Sequence, residues 1–303
     1  MKKFIPLTLL ALCTHLLSHA VDYHPSQDGI NGNVNLTDTS IWADSNGNSP
    51  DQIEAGDTYY VTNLNNTGIS EISLGGNPTF AGSLIVRSDR LLYNSNGSGS
   101  TLTIATGGSL TLESTGSLRV HNTADLNVDL NSSTFTWDGG KLDLGKKIGN
   151  IHISNGFISG SGTIVIGSDD NFTNVGKVHF SGVNFSAFTG TLAITGDDAK
   201  LELPSISTPT FNLVLNNDKG AYLMNNDVSL SSLTVGGVAV NDGIYTRQDL
   251  IDIDSSWSSY FEGDDEDIRI TVGLSIPEPR HYSLLISLLV LGHMQARRRR
   301  PAN

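Results

Sequence analysis

Leu102-Thr103-Ile104, Leu110-Thr111-Leu112, Leu118-Arg119-Val120 and Leu126-Asn127-Val128 are four short triplets, each apolar-polar-apolar, whose leading leucines step by 8 residues. A period of two is the mark of a strand with one buried face. Gly, Asn, Asp, Ser and Thr crowd the gaps between the triplets, as turns require. The pattern runs outward in both directions. Leu84-Ile85-Val86 precedes it. Leu142-Asp143-Leu144, Ile151-His152-Ile153, Ile164-Val165-Ile166, Val178-His179-Phe180, Leu192-Ala193-Ile194, Leu201-Glu202-Leu203, Leu213-Val214-Leu215 and Leu233-Thr234-Val235 follow. No helical stripe interrupts them.

Longer returns fall between 20 and 24 residues, as from Leu102 to Leu126, Leu142 to Ile164, Leu192 to Leu213 and Leu213 to Leu233. Three short strands per return is the repeat of a parallel β-helix, in which each coil buries its inward residues against the coils on either side. The expected fold is therefore all-β, a right-handed parallel β-helix or solenoid. The alternative is an antiparallel β-sandwich or jelly roll. Residues 21–80, with Trp42, Tyr59 and Tyr60, read as N-terminal strands and cap, 81–240 as solenoid repeats and 241–275 as a C-terminal cap. In that cap Thr246 and Asp249 have the spacing of a helix capping box. Trp257, Tyr260 and Phe261 are placed to seal the last coil against edge pairing, and Ile268–Val272 reads as a closing strand.

The chain has 303 residues, a formal net charge of −13, 32 Gly, one Cys and 7% aromatics. That charge argues against a general nucleic-acid binder, which needs a basic footprint on phosphate. The 38% hydrophobic content excludes a polytopic membrane protein.

The two ends read as addresses. Lys2 and Lys3 followed by the apolar run Phe4–Leu17, with Ser18 and Ala20 as the small residues at −3 and −1, form a signal peptide 1–20 cleaved after Ala20. Cys13 comes too early, and behind Leu12, to be a lipid-attachment site. Without the leader no cysteine remains, so stability rests on burial and hydrogen bonds without disulfides. Setting aside Lys2, Lys3, Arg280 and Arg297 to Arg300 leaves 11 of the 18 basic residues; setting aside Glu278 leaves 30 of the 31 acidic ones, so Val21–Ser275 stands near −19. Such a body stays soluble and repels other polyanions unless cations bridge them.

At the other end, Pro277-Glu278-Pro279 is followed by the apolar stretch Tyr282–Gly292 and, after His293–Ala296, by Arg297, Arg298, Arg299 and Arg300. The prolines give extended backbone, the apolar segment 282–296 partitions into lipid, and the arginines act as a cytoplasmic stop. This end resembles the sorting signal of PEP-CTERM proteins, the substrates of exosortase. Ile276 stands where valine is more usual, and 282–296 is short, ~22 Å as a helix against ~30 Å of hydrocarbon. The resemblance covers about the last 28 residues. It implies that Pro277, Glu278 and Pro279 are recognition elements for a membrane-embedded transpeptidase-like protease. An inner-membrane-anchored precursor would then be cut, and the body released or attached outside. The repeats Gly107–Leu112 and Gly116-Ser117-Leu118 also resemble the β-strand repeats of autotransporter passengers.

Candidates for chemistry are weaker. Asp169-Asp170 and Asp197-Asp198 follow Gly and read as turns; adjacent carboxylates point apart on a strand. The run Asp264–Asp267 lacks calcium-loop spacing. His24, His121, His152 and His179 are scattered, with no cysteine partner for zinc, and His152 and His179 occupy the outward slot of their triplets. Gly97-Ser98-Gly99 and Gly160-Ser161-Gly162 are not phosphate loops. The reading expects no catalytic residues, no metal and no cofactor. It expects an exported, exosortase-sorted protein of the cell surface or extracellular matrix, structural or adhesive. Signal peptidase and exosortase are its processing enzymes, exopolysaccharide is its partner, its membrane contact is transient and it binds no nucleic acid. The alternatives are a polysaccharide lyase or glycoside hydrolase on a β-helix, and a carbohydrate-binding module.

Overall fold

The computed structural model describes residues 20–26, 35–62, 71–74, 76–87, 90–92, 99–113, 115–120, 124–145, 149–168, 176–196, 198–216, 220–263 and 267–273. The leader through His19, with Ser18, and the C-terminal signal 276–303, with Pro277, Glu278, Pro279, the apolar stretch 282–296 and Arg297 to Arg300, lie outside the described residues. Among the described residues no helix is long and apolar enough to cross a membrane.

The chain forms a β-solenoid whose coils visit three faces in turn. Thr79–Phe80, Ser100–Ile104, Leu126–Asp129, the first halves of Ile151–Gly160 and Lys177–Phe188, Lys200–Glu202, Ala221–Leu223 and Phe261–Glu262 make the first face. Asp22–Pro25, Thr58–Val61, Ser83–Val86, Ser109–Leu112, Thr134–Trp137 and the second halves of the two long strands make the second. The third runs from Glu71–Ser73 through Arg90–Leu92, Ser117–Arg119, Lys141–Asp143, Thr163–Gly167, Thr191–Ile194 and Asn212–Leu215 to Ser232–Val235. About 5 turns carry a strand on every face. All of these pairings are parallel. Among the described residues, antiparallel pairing is confined to short edge strands: Trp42–Ala43, Val238–Ala239 and Gly243–Tyr245. A sandwich or jelly roll needs antiparallel neighbours throughout, so that alternative is excluded.

The step of 8 residues carries the chain from one face to the next, from Leu102 to Leu110 to Leu118. Two returns fall where the spacing puts them, Leu192 on Leu213 and Leu213 on Leu233, and two are two residues longer than expected. Leu102 stacks on Val128, not Leu126, and Leu142 on Ile166, not Ile164. Corner loops supply the extra residues. The slip is two residues in both cases, so the inward set stays inward.

Inward positions stack into rows of like side chains. On the third face these are Leu118, Leu142, Ile166, Ile194, Leu215 and Val235, all 0% exposed. Each buried aliphatic side chain contributes about 1.5–3 kcal/mol of transfer free energy. Mid-solenoid the core turns aromatic. Trp137 meets Phe135, Phe180, Phe185 and Phe188 edge-on, with centroids 5.2–6.2 Å apart.

The corners need special backbone. Asn155 and Gly182 stack at the corner between the first and second faces with φ of 60° and 61°. Asn tolerates this left-handed region better than most residues, and here its Nδ2 donates to Asp129 Oδ1 of the preceding coil at 3.1 Å. At the corner before the third face, Gly140 has φ +101°, and a Cβ there would lie 2.6 Å from the Gly116 carbonyl oxygen. Only glycine lets the coils approach so closely. The outer side of the third face buries a cross-turn ion pair, Arg119 Nε to Asp143 Oδ2 at 3.4 Å.

Past the fifth turn the second face gives way to a smaller sheet of Val228–Leu230 and Ile270–Val272, extended by a bridge from Ile206. Helix Arg247–Ile253 begins with a capping box between Thr246 and Asp249. It leads into a 3-10 turn that buries Trp257 and Tyr260, ahead of the fully buried Phe261. At the other end Trp42 and Phe80 pack edge-on against Tyr59, and Tyr23 stacks on it.

Trp137→Ala is expected to cost about 3–5 kcal/mol in urea unfolding, since it empties the aromatic cluster. The buried Trp137 Nε1 has no hydrogen-bond acceptor, so Trp137→Phe removes an unsatisfied donor and is expected to cost less than about half as much. Equal losses would show that the cluster is not the source of stability at that position.

Candidate functional site

Register also sorts the outward side chains into rows. On the first face Thr101, Asn127, His152, His179 and Glu202 lie on successive coils as direct cross-strand partners. The densest grouping of titratable side chains on that face is here. His152 Nδ1 lies 3.3 Å from His179 Nδ1, and the rings stand at 87° to each other with centroids 5.5 Å apart. The far nitrogen of each ring faces a carboxylate: His152 Nε2 is 3.6 Å from Asp125 Oδ2, and His179 Nε2 is 4.0 Å from Glu202 Oε2. These distances are electrostatic rather than hydrogen-bonded.

Both carboxylates are held from behind. Asp125 Oδ1 accepts from the Asn150 backbone N–H at 3.0 Å and from Asn150 Nδ2 at 2.9 Å. Glu202 Oε2 takes Lys177 Nζ at 2.7 Å, and Oε1 takes Asn225 Nδ2 at 2.9 Å. Burial alone would raise the Glu202 carboxyl, but the donors Lys177 and Asn225 outweigh it and hold the group below its ordinary value. Burial depresses His179, aided by Lys177 and His152 and opposed by Glu202. One row away, Lys200 Nζ pairs with Glu262 Oε2 at 2.6 Å. The patch is thus a half-buried line of two imidazoles flanked by two carboxylates, running over four successive coils.

The second face carries hydroxyls instead. Ser83, Ser109 and Thr134 form one row, and Thr111, Thr136 and Ser159 another. Ser109 Oγ donates to Ser83 Oγ at 3.1 Å, and Thr136 Oγ1 lies 3.1 Å from Ser159 Oγ. A third feature is an open groove of about 440 Å³ beside the small C-terminal sheet, lined by Ser205, Asp227, Ser229, Ile244, Arg269 and Thr271 among others.

Most residues singled out from sequence lie elsewhere. Asp169, Asp170, Asp197, His121 and Asp264 to Glu266 lie outside the described residues. Asp198 sits in a turn with φ 58°. His24 stacks on Tyr60, far along the chain from the histidine row. His152 and His179 do point outward, but they meet, and with Asp125 and Glu202 they form a line that local motifs do not reveal. Its signal was the recurrence of His in the middle of two strand triplets one coil apart. Among the described residues no three His, Cys, Asp or Glu side chains converge on one point. No family profile matches the chain, and neither the curated proteins nor the solved structures hold a match to it.

The row sets an acid dependence. His179 has a folded value below its ordinary 6.5, so as pH falls through 6.5 the unfolded chain takes the proton first and stability declines until the folded value is passed. Glu202 has a folded value below its ordinary 4.5, so its stabilisation is present above 4.5 and is lost as pH falls through the folded value. Both slopes have the same sign. Thermal midpoints measured from about pH 8 down to about pH 3 are expected to fall in two stages, and His179→Asn is expected to flatten the upper one. An unchanged upper slope in that variant would assign it to another group.

Proposed function

We propose that the chain is an exported, exosortase-sorted scaffold of the cell surface or extracellular matrix, structural or adhesive and not catalytic, which holds exopolysaccharide along its second face. The observation that carries the reading is the pair of in-register hydroxyl rows, Ser83–Ser109–Thr134 and Thr111–Thr136–Ser159. Strands one coil apart repeat at about 4.8 Å, so each row is a linear array of equivalent donors and acceptors. A repeating polymer of hydroxyls is the chemistry that can use such an array many times at once. In-register pairing aligns both rows along the rod, on a coil whose proposed right hand is the one favoured for parallel crossovers. The export half of the reading comes from the two ends. Lys2, Lys3, Ser18 and Ala20 fit signal peptidase, Pro277–Glu278–Pro279 fits exosortase recognition, and the apolar stretch 282–296 ahead of Arg297 to Arg300 fits a temporary anchor.

A second reading has one observation in its favour. The Asp125, His152, His179 and Glu202 line supplies paired acid and base groups, as a polysaccharide lyase or hydrolase would require. It lies on a flat face rather than in a cleft, which leaves a sugar poorly shielded from water.

Two measurements separate these readings. Intact mass of the protein recovered from its native host is expected to show a chain beginning at Val21 and ending near Pro277–Pro279; recovery of the uncut chain from cytosol contradicts the export reading. Incubation of the protein with exopolysaccharide is expected to give co-sedimentation without new reducing or unsaturated ends, and co-sedimentation is expected to fall at least several-fold in a Thr111→Val, Thr136→Val variant. New ends that disappear in His179→Gln would establish the enzyme instead.

A further inference from the structure

The two histidine rings meet Nδ1 to Nδ1 at 3.3 Å, a contact that a proton on one ring or a metal held by both can bridge. Each Nε2 faces a carboxylate, Asp125 at 3.6 Å and Glu202 at 4.0 Å. A carboxylate beside one ring nitrogen favours the tautomer that carries the proton there. With both protons on Nε2, the two Nδ1 lone pairs face each other across 3.3 Å. Without a metal one ring keeps its proton on Nδ1 and donates it to the other; with a metal, both lone pairs turn to the cation and coordination replaces that hydrogen bond. The separation also selects a geometry. Zinc–imidazole bonds of about 2.0–2.1 Å at a tetrahedral angle place two nitrogens about 3.3–3.4 Å apart, whereas a right-angled square-planar pair with the same bonds needs about 2.9 Å.

We propose that His152 and His179 chelate a divalent transition metal of the zinc class through their Nδ1 atoms, on the outward side of the first face. Asp125 and Glu202 act as orienting partners behind the ligands. They are fixed for that role, Asp125 by Asn150 and Glu202 by Lys177 and Asn225. The protein supplies two ligands and solvent supplies the other two, so the site stays open to an exogenous oxygen ligand. The charged groups around it are Asp125, Lys177 and Glu202, with the Lys200–Glu262 pair beyond. Lys177 is neutralised on Glu202 and so opposes the metal less than a free ammonium would. The residues are 27 apart in sequence, which is why no local zinc motif announces them. The inference stands independently of the surface-scaffold reading.

Calorimetric titration of the full chain with zinc sulfate tests it. One zinc per chain is expected. His152→Gln and His179→Gln are each expected to weaken binding at least tenfold. Asp125→Asn and Glu202→Gln are expected to weaken it about tenfold, as loss of such orienting partners does. Calcium and magnesium are expected not to compete, since they prefer oxygen ligands. Cobalt(II) in place of zinc is expected to give the intense visible absorption of a four-coordinate ion. Zinc affinity unchanged in the double His152→Gln, His179→Gln variant, or a weak six-coordinate cobalt spectrum, overturns the proposal. Should the variants fail to fold, nuclear magnetic resonance of the wild-type rings decides. Zinc is expected to shift His152 and His179 among the eight histidines, and shifts confined to the others overturn it.

Discussion

Hydrogen bonding between parallel coils, held in register, is the constraint from which the rest of the molecule follows. Backbone N–H groups along a strand alternate between carbonyls on the coil before and the coil after, so a residue is obliged to lie over its counterpart. Leu126, Ile151, Val178 and Leu201 form a column because Leu126 pairs with Ile151, Ile151 with Val178 and Val178 with Leu201. An apolar residue placed inward once must be matched inward on the next turn, or the row is broken by a cavity or an unpaired polar group. The core therefore needs neither cysteine nor a second layer. The same obligation acts outside. Lys177 lies beside Glu202 and Arg87 reaches Glu113, each joining successive coils, and Lys200 reaches Glu262 across the intervening strand Ala221–Leu223. Such exposed pairs are individually weak, but they let a strongly acidic body stack its coils without lining up like charges.

A stack of this kind has two open ends, and the chain places two of its three tryptophans there. Trp42 closes the first coils over Tyr59 and donates its Nε1–H to the Leu36 carbonyl at 3.1 Å, so its one polar group is satisfied inside. At the far end the helix Arg247–Ile253 lays Leu250 into the core, and the following turn adds Trp257 and Tyr260. Arg247 Nε donates to the Phe261 carbonyl at 2.9 Å, tying the cap to the last first-face strand. These contacts place bulk and hydrogen bonds where a bare strand edge would otherwise recruit another chain.

Much of this was legible in the sequence because the strand signal is local. Leu102-Thr103-Ile104 declares its inward and outward sides on its own, and Thr246 with Asp249 declares a helix start on its own. The return length was legible to the residue only in the later coils, Leu192 to Leu213 and Leu213 to Leu233, and not in the earlier ones, because loops at the corners set it and loops carry no period. Spacing alone put Leu126 over Leu102, where the structure puts Val128. The error kept every apolar residue inward, since a slip of two preserves the face. It could not preserve the neighbours of an outward residue. His152 and His179 were correctly placed on the surface, yet their contact depends on a coil of 27 residues, and the contact of His179 with Glu202 on one of 23. Neither length follows from the triplets.

This separates what holds the fold from what can assemble a site on it. Along one strand, adjacent side chains point apart, so two groups that must touch have to come from different coils. The strands then supply only the spacing, about 4.8 Å between coils. Corner length selects which residue arrives opposite which. A one-residue change at a corner drives the whole strand's apolar set outward and is resisted by the core. A two-residue change leaves the core intact and merely exchanges partners on the surface. The outer faces of such a rod can therefore be rewritten by paired insertions at almost no cost to stability, and the alignment of His152, His179 and Glu202 is a property of two particular coil lengths, not of the solenoid itself.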